Sequence, residues 1–397
     1  MTKKKSAAIV LIAIIMVAAV LRSPVASIGP LLPEITQSLG LTPFAVSTLA
    51  SAPVLCFGLG AFASPWLVSR MGVNHALLSV LSLLAIGLAM RMFLGFAGLL
   101  VGTIAAGLSI AIANVLLPTV VRKNFPHKVS LVTGLYTTML SISASVASGI
   151  AVLTSEQFGG WSAALAIWIL PTLLAVFLWM PQIRNQEPHV AQPSQAASEE
   201  RRAVNRSPIA WAIVAFFGLQ SLSFYALLGW LPSSLISIGF SAVEAGIWLG
   251  FASGIGIPVG LIAATLFSKN KSLSWWAAGA SLFTLAGYLL LTTSMATHSK
   301  DLIFFATILV GFGMSTTFPI SLSLISSRAS THAQTTRLSA MSQGWGYLVA
   351  ATGSFAFGFI ANLTGSWFVS FAMVTILLAT QVGFGFYSGK PRVIPAK

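Results

Sequence analysis

Acidic residues are scarce: Asp and Glu together number 7 in 397 residues. Charged residues of both signs make up only 7% of the chain. A soluble domain carries about 25%. A surface so poor in charge excludes an ordinary soluble enzyme, a disordered chain and a secreted disulfide scaffold. Cys56 is the only cysteine, which excludes an intrachain disulfide and any CxxC metal or redox site. The 5 histidines and the few acids are scattered, so neither a metal site nor a cofactor is expected. The apolar stretches hold no nucleophile–base pair, which argues against an enzyme. They also hold no ring of charges of the kind that lines a channel.

What is abundant is apolar sequence, with 56% hydrophobic residues. A membrane helix needs about 20 mostly apolar residues. Twelve such runs lie near 6–33, 44–68, 75–92, 96–121, 129–153, 161–180, 208–232, 243–268, 273–294, 302–326, 338–362 and 366–388. The separation is weakest between the third and fourth. The first run follows Lys3, Lys4 and Lys5, as a signal peptide would. It is too long for a secretory h-region of about 7–15 residues, and it contains Arg22 and Pro24. It reads as an uncleaved first span.

The 21 Lys and Arg give a net charge of +14. In a soluble chain that would suggest nucleic acid. Here the cations sit between apolar runs, so no nucleic-acid partner is expected. With the N-terminus inside, 18 of the 21 fall in inside loops or tails. Among them are Arg70, Arg122, Lys123, Lys128, Lys269, Lys271, Arg328 and Arg337. Arg22, Arg91 and Lys300 remain. Glu34, Glu156, Glu244 and Asp301 fall at the outside ends, and Glu187, Glu199 and Glu200 in one long inside loop. An even number of spans with both termini cytoplasmic fits the rule that inside loops are positive.

Residues 181–207 are polar, contain Pro and lack aromatics, and read as a cytoplasmic linker. They separate an N-terminal six-helix bundle, 1–180, from a C-terminal one, 208–397. The halves resemble each other. Leu32-Pro33 and Ser38-Leu39-Gly40-Leu41-Thr42 recur as Leu231-Pro232 and Ser237-Ile238-Gly239-Phe240-Ser241, offset by 199 throughout. Both copies are expected to close the first span of their half. Paired six-span repeats with substrate between them are a common transporter plan.

The chain here resembles the major facilitator superfamily. Pro65-Trp66-Leu67-Val68-Ser69-Arg70-Met71-Gly72 stands where that superfamily has Gly-x-x-x-Asp-Arg-x-Gly. Only Arg70 and Gly72 match, which puts in question any latch between halves built on the missing Asp. Three segments, LRSPVASIGPLLPEI (21–35), NVLLPTVVRKNFPHKV (114–129) and SSRASTHAQTTRLSAMSQGWGYLVAATG (326–353), are similar to the cyanate/2-nitroimidazole porter (CynX-type) family. The resemblance covers almost the whole chain. It implies an all-α integral membrane protein of 12 transmembrane helices in two six-helix pseudo-symmetric bundles. It also implies alternating access, a monomer, and a bacterial inner (plasma) membrane.

A charge deep in a span is costly and is a functional candidate by default. Arg22 alone qualifies clearly. It lies 11 residues from the outer end of its run, about 16 Å at the helical rise, too far to snorkel. No acid lies in the body of a span to pair with it. Arg22 reads as a substrate contact, with a structural hydrogen-bonding role as the alternative. Arg91, near the outer end of the third run, reads as an interfacial cation.

The repeat places Ser221 at the position of Arg22, Ser223 at Pro24 and Tyr225 at Ala26. Gln220-Ser221-x-Ser223-x-Tyr225 is the most polar stretch of the seventh run. The superfamily resemblance implies that spans one, four, seven and ten line a central cavity. Arg22 would then face Gln220, Ser221 and Tyr225. Asn114 in span four, and Ser315, Thr316 and Thr317 in span ten, would complete the wall. Interhelical glue is the alternative for these small polar residues. Spans five and eleven offer Tyr136, Gln343, Trp345 and Tyr347 as further candidates. Trp161, Trp179, Trp230 and Trp367 fit an interfacial belt. Gly246, Gly250 and Gly254, with Gly256 and Gly260, suit close helix packing, and Pro118 and Pro319 suit bending.

The absence of a buried acid argues against a carboxylate proton relay and leaves uniport, exchange and substrate-borne proton cotransport open. Glu34, Glu244 and Asp301 read as solvated loop carboxylates at the outer mouth. The expected activity is secondary transport of a small polar or anionic solute, such as cyanate, nitrate or a carboxylate, with Arg22 as the main contact. The alternative is export of small aromatic compounds such as 2-nitroimidazoles.

Overall fold

The computed structural model describes residues 3–126, 128–185, 195–259, 262 and 272–395. Lys269, Lys271, Glu187, Gly260, Lys397 and linker residues 186–194 lie outside them. The described chain is helical. Among these residues the only extended pairing is a single bridge between Ala329 and Ile394. Twelve helices are long and apolar enough to cross a membrane, and their order follows the twelve apolar runs. Their outer faces carry large apolar side chains, including Leu170, Phe177, Trp275 and Ile376, each more than two-thirds exposed. Water would not tolerate such faces; acyl chains do. Spans pack inside through small residues, and their Ser and Thr hydroxyls mostly donate to carbonyls of their own helix, as Thr36 does to Leu32 O at 2.7 Å.

Several boundaries differ from the apolar runs. The helix of the first span, Ala8–Ala26, is interrupted only at Ser27, whose backbone stays helical, and continues as a helix Ile28–Leu39. The seventh is one uninterrupted helix, Pro208–Ser237. The Leu-Pro pairs therefore sit inside their helices rather than closing them, and the chain turns at Gly40 and Gly239, both with positive φ. Spans two and three share one helical stretch, Pro43–Met90, broken only at Gly72. Its φ of 74° and ψ of 166° need a residue without Cβ. This explains why Gly72 survives in a loop whose Asp does not. That loop is tied within its own half: Asn74 donates to Gln182 O at 2.8 Å, and Trp179 Nε1 donates to Asn74 O at 3.1 Å. Spans three and four, hard to separate by hydropathy, are joined by a tight turn at 91–94.

The first six spans meet the last six along two main seams. Span two, Pro43–Ser64, packs on span eleven, Gln334–Thr364, and span five, Leu131–Phe158, packs on span eight, Ala242–Val259. At the second seam the glycine stripe acts as expected. A Cβ at Gly250 would lie 2.8 Å from Ser145 O, and Ser145 Oγ donates to Gly250 O at 2.6 Å. The helix Ile28–Leu39 adds a third contact, on span seven. There Gly29 lies so close that a Cβ would overlap the Leu228 carbonyl oxygen.

Two tryptophans assigned to an interfacial belt are buried instead. Trp179 supports the loop at Asn74, and Trp230 donates to Ser354 O at 3.0 Å and packs at a tilt against Trp367. Arg328, counted as a loop cation, is also buried. It donates to Ser388 O and Gly389 O and so fixes the start of the C-terminal tail.

Candidate functional site

Spans one, five, seven, eight, ten and eleven surround a cavity with about 930 Å³ of unfilled space, part of it open to solvent. Among the described residues Arg22 from span one is its only charged lining residue, and no Asp, Glu or His lines it. The break at Ser27, five residues beyond Arg22, is bracketed by two side chains from the same half. Pro30 has no N–H to offer Ala26 O, and Ser148 Oγ donates there instead, at 3.2 Å. Arg91 Nη1 donates to Pro24 O at 2.9 Å. Arg91 is 1% exposed, so it is not the interfacial cation expected from its place at a span end. The extension of span one past residue 33 puts the end of span three beside Pro24, inside protein.

Arg22 is half-buried, and among the described residues its hydrogen bonding is limited to one bond, Nη1 to Tyr225 Oη at 3.1 Å. A guanidinium has five N–H donors. Aromatic rings surround it: its Cζ lies 4.8 Å from the Phe224 ring centre, 5.6 Å from Tyr225 and 5.9 Å from Phe318. Desolvated contacts of this kind are each worth up to about 2 kcal/mol. They hold the cation without using its N–H donors. Tyr225 stands 6.0 Å from Tyr347, ring to ring, and both lie 5.5 Å from Phe57 of span two. The remaining wall is mostly apolar, with Leu140, Leu227, Leu228, Leu249, Val310 and Met314, interrupted by hydroxyls of Thr137, Ser141, Ser221, Ser253 and Ser315.

Five of the nine expected site residues line this cavity: Arg22, Gln220, Ser221, Tyr225 and Tyr347. Gln220 and Ser221 are already paired, Nε2 to Oγ, at 2.7 Å. The other four do not line it. Asn114 is half-buried in span four, and no span-four residue contributes to the wall. Tyr136 is buried in the core, and its neighbour Thr137 faces the cavity. Thr316 turns back onto Phe312 O at 2.7 Å, and Ser315 faces the cavity in its place. Gln343 donates to Ser339 Oγ at 2.8 Å, one turn away on its own helix, whereas Tyr347 reaches the cavity. One residue is about 100° of helix, enough to turn a side chain from cavity to core. Phe224 and Phe318 were not singled out. Their signal was weak: each merely adjoins a flagged residue, Tyr225 or Pro319, among 26 phenylalanines.

Two acids at the end remote from the termini, half-buried Glu34 and exposed Glu244, also serve as helix caps. Glu34 accepts from Ser155 Oγ at 2.6 Å and from Trp161 N at 2.9 Å, fixing the start of span six. Glu244 forms a capping box with Ser241 at the start of span eight.

A twelve-helix membrane chain with a central cavity between paired bundles is the architecture of one large transporter group. The profile of the Major Facilitator Superfamily matches residues 8–354. The chain belongs to this superfamily. It is a membrane transporter, not an enzyme. It is 35% identical to the "2-nitroimidazole transporter" of Escherichia coli (strain K12), over 97% of each chain. It is 26% identical to the "Cyanate transport protein CynX" of the same organism, over 91% of this chain and 92% of that one. The fold matches a crystal structure of a D-xylose-proton symporter with a TM-score of 0.76 and 16% identity, over 97% of this chain and 98% of that one.

Proposed function

We propose that this major facilitator protein is a secondary transporter of small planar solutes that join an apolar ring to an oxygen acceptor, nitroheteroaromatics first. The observation that carries this reading is a guanidinium with donors to spare inside an aromatic and aliphatic cavity. A nitro group accepts from Arg22 in its plane, and the attached ring meets Phe224, Phe318, Leu249 and Met314. A bare hydrated anion would gain the guanidinium but lose most of its water against apolar walls. The relative named as a 2-nitroimidazole transporter supports the same class. Small anions such as cyanate, nitrate or short carboxylates are the second reading, favoured by the positive charge of Arg22 and by the cyanate-named relative.

Transport proceeds by alternating access, as the two six-span bundles, 1–180 and 208–397, rock about the seams between spans two and eleven and spans five and eight. Among the described residues the lining holds no acid or histidine, which supports a mechanism without a proton relay through a cavity carboxylate. The protein works as a monomer in a bacterial inner membrane, with its basic loops and both termini in the cytoplasm.

The test is thermal stabilisation of the purified protein by 2-nitroimidazole, cyanate, nitrate, acetate and a neutral sugar. A ligand at 100 times its dissociation constant adds about 2.7 kcal/mol to the folded state. The expected result is stabilisation by 2-nitroimidazole of the native protein and not of Arg22→Ala. Stabilisation by the simple anions alone favours the second reading. Equal stabilisation of native protein and Arg22→Ala removes Arg22 from the site.

A further inference from the structure

We propose that Arg91 and Tyr288 are a symmetric pair of positioning residues, each fixing the cavity-lining turn of the first span in its half. The proposal rests on the cavity being the transport site. The repeat offset of 199 pairs Pro24 with Ser223, and Arg22 with Ser221. Arg91 ends the third span of the first half and donates to Pro24 O at 2.9 Å. Tyr288 lies in the third span of the second half, and its Oη donates to Ser223 O at 2.7 Å. Two equivalent carbonyls, each two residues beyond an equivalent cavity residue, are thus held by long polar side chains from equivalent helices. Both side chains are fully buried, and neither lines the cavity.

The donors differ as the backbones differ. Pro24 sits in the last turn before the break at Ser27, where helix carbonyls run short of partners. A charged donor fits that need. Ser223 lies mid-helix in Pro208–Ser237, where a neutral phenol suffices. Stability alone is a poor account of Arg91. Among the described residues its Nε and Nη2 have no hydrogen-bond partner. Desolvating a guanidinium for one hydrogen bond is unfavourable compared with an apolar residue of the same size. What the bond does supply is a fixed place for the turn at Pro24, which carries Arg22 two residues earlier.

The test compares Arg91→Met, Arg91→Lys and Tyr288→Phe in the full-length protein by hydrogen exchange without ligand, and by binding of 2-nitroimidazole. In Arg91→Met, exchange is expected to rise about tenfold across residues 20–32, the worth of one charge-assisted hydrogen bond. In Tyr288→Phe it rises about fivefold across residues 218–230, as for a neutral bond. Arg91→Lys, which keeps a donor, restores both exchange and binding. The dissociation constant weakens in step with local exchange, while the unfolding midpoint stays near that of the native protein. Unchanged exchange in both spans overturns the proposal. So does a rise spread equally over spans three and four, which marks a general packing role, or local loosening without weaker binding. If the native protein fails to bind 2-nitroimidazole, the functional reading fails, and the exchange pattern alone decides the positioning role. Tyr288→Phe, nearly isosteric, keeps the test open if Arg91→Met does not fold.

Discussion

Spans one and seven occupy equivalent places in the repeat, yet they divide the work of the site unequally. Among the described residues span one carries the only charge in the cavity wall, and its helix is interrupted at Ser27. Span seven is one uninterrupted helix, and its polar residues Gln220 and Ser221 are hydrogen-bonded to each other. Its contribution to Arg22 is aromatic: Phe224 and the ring and hydroxyl of Tyr225. A symmetric scaffold therefore holds an asymmetric site. Among the described residues the cavity's charge comes from one half, and its aromatic rings, Phe224, Tyr225, Phe318 and Tyr347, come from the other. A site that chelated an anion between two cations would need Arg at both equivalent positions, and position 221 is Ser.

The sharpest way to break this comparison is to remove the charge. Arg22→Ala is expected to lower ligand affinity by about 2–3 kcal/mol, the range for hydrogen bonds from a charged group, measured by calorimetry. Ser221→Ala on the equivalent side is expected to change it by less than about 0.5 kcal/mol, because that hydroxyl is already engaged. Comparable losses from both would restore a symmetric site. Arg22 was legible in the sequence because a cation deep in an apolar run has no cheap explanation. Tyr225 was legible because it lies in the one polar stretch of its span. Asn114, Tyr136, Thr316 and Gln343 were misplaced for a single reason. These spans are apolar on every side, so hydropathy does not tell which face turns inward. Arg91 was misjudged because the length of an apolar run does not show that the helix of span one continues to Leu39.

The second contrast is steric. Gly29 leans on the Leu228 carbonyl, whereas a Cβ at Gly229 would meet only Ala50 Cβ at an ordinary 3.7 Å. Gly29→Ala is expected to lower the unfolding free energy by about 1–3 kcal/mol, the range for overpacking. Gly229→Ala is expected to leave it unchanged or raise it by up to about 1 kcal/mol through helix propensity. Denaturant or thermal unfolding of the two variants side by side decides the matter. Equal effects would mean that the close approach of the two spans is not specific to Gly29.

A smaller effect separates ring from hydroxyl in the enclosure of Arg22. Tyr225→Phe keeps the aromatic wall and deletes the bond to Arg22. It is expected to weaken binding of an Arg22-dependent ligand by about 1 kcal/mol or less, since the freed donor turns to the ligand. Tyr225→Leu also deletes the ring and is expected to cost about 1 kcal/mol more. A Tyr225→Phe variant as damaged as Tyr225→Leu would shift the role from enclosure to hydrogen bonding.

The smallest effect concerns the helix break at Ser27, which span seven lacks. Pro30 withholds the N–H that Ala26 O would accept in a continuous helix, and Ser148 Oγ, from span five, takes its place. Ser148→Ala therefore leaves a buried carbonyl short of a donor and is expected to cost about 1 kcal/mol of stability. In a Pro30→Ala background the backbone can supply the donor, so the same Ser148→Ala change is expected to cost less. The difference between the two costs is the coupling energy of a double-mutant cycle. A coupling near zero would show that the break is set elsewhere. The remaining bracket on it is then Arg91, whose bond to Pro24 O is independent of Pro30.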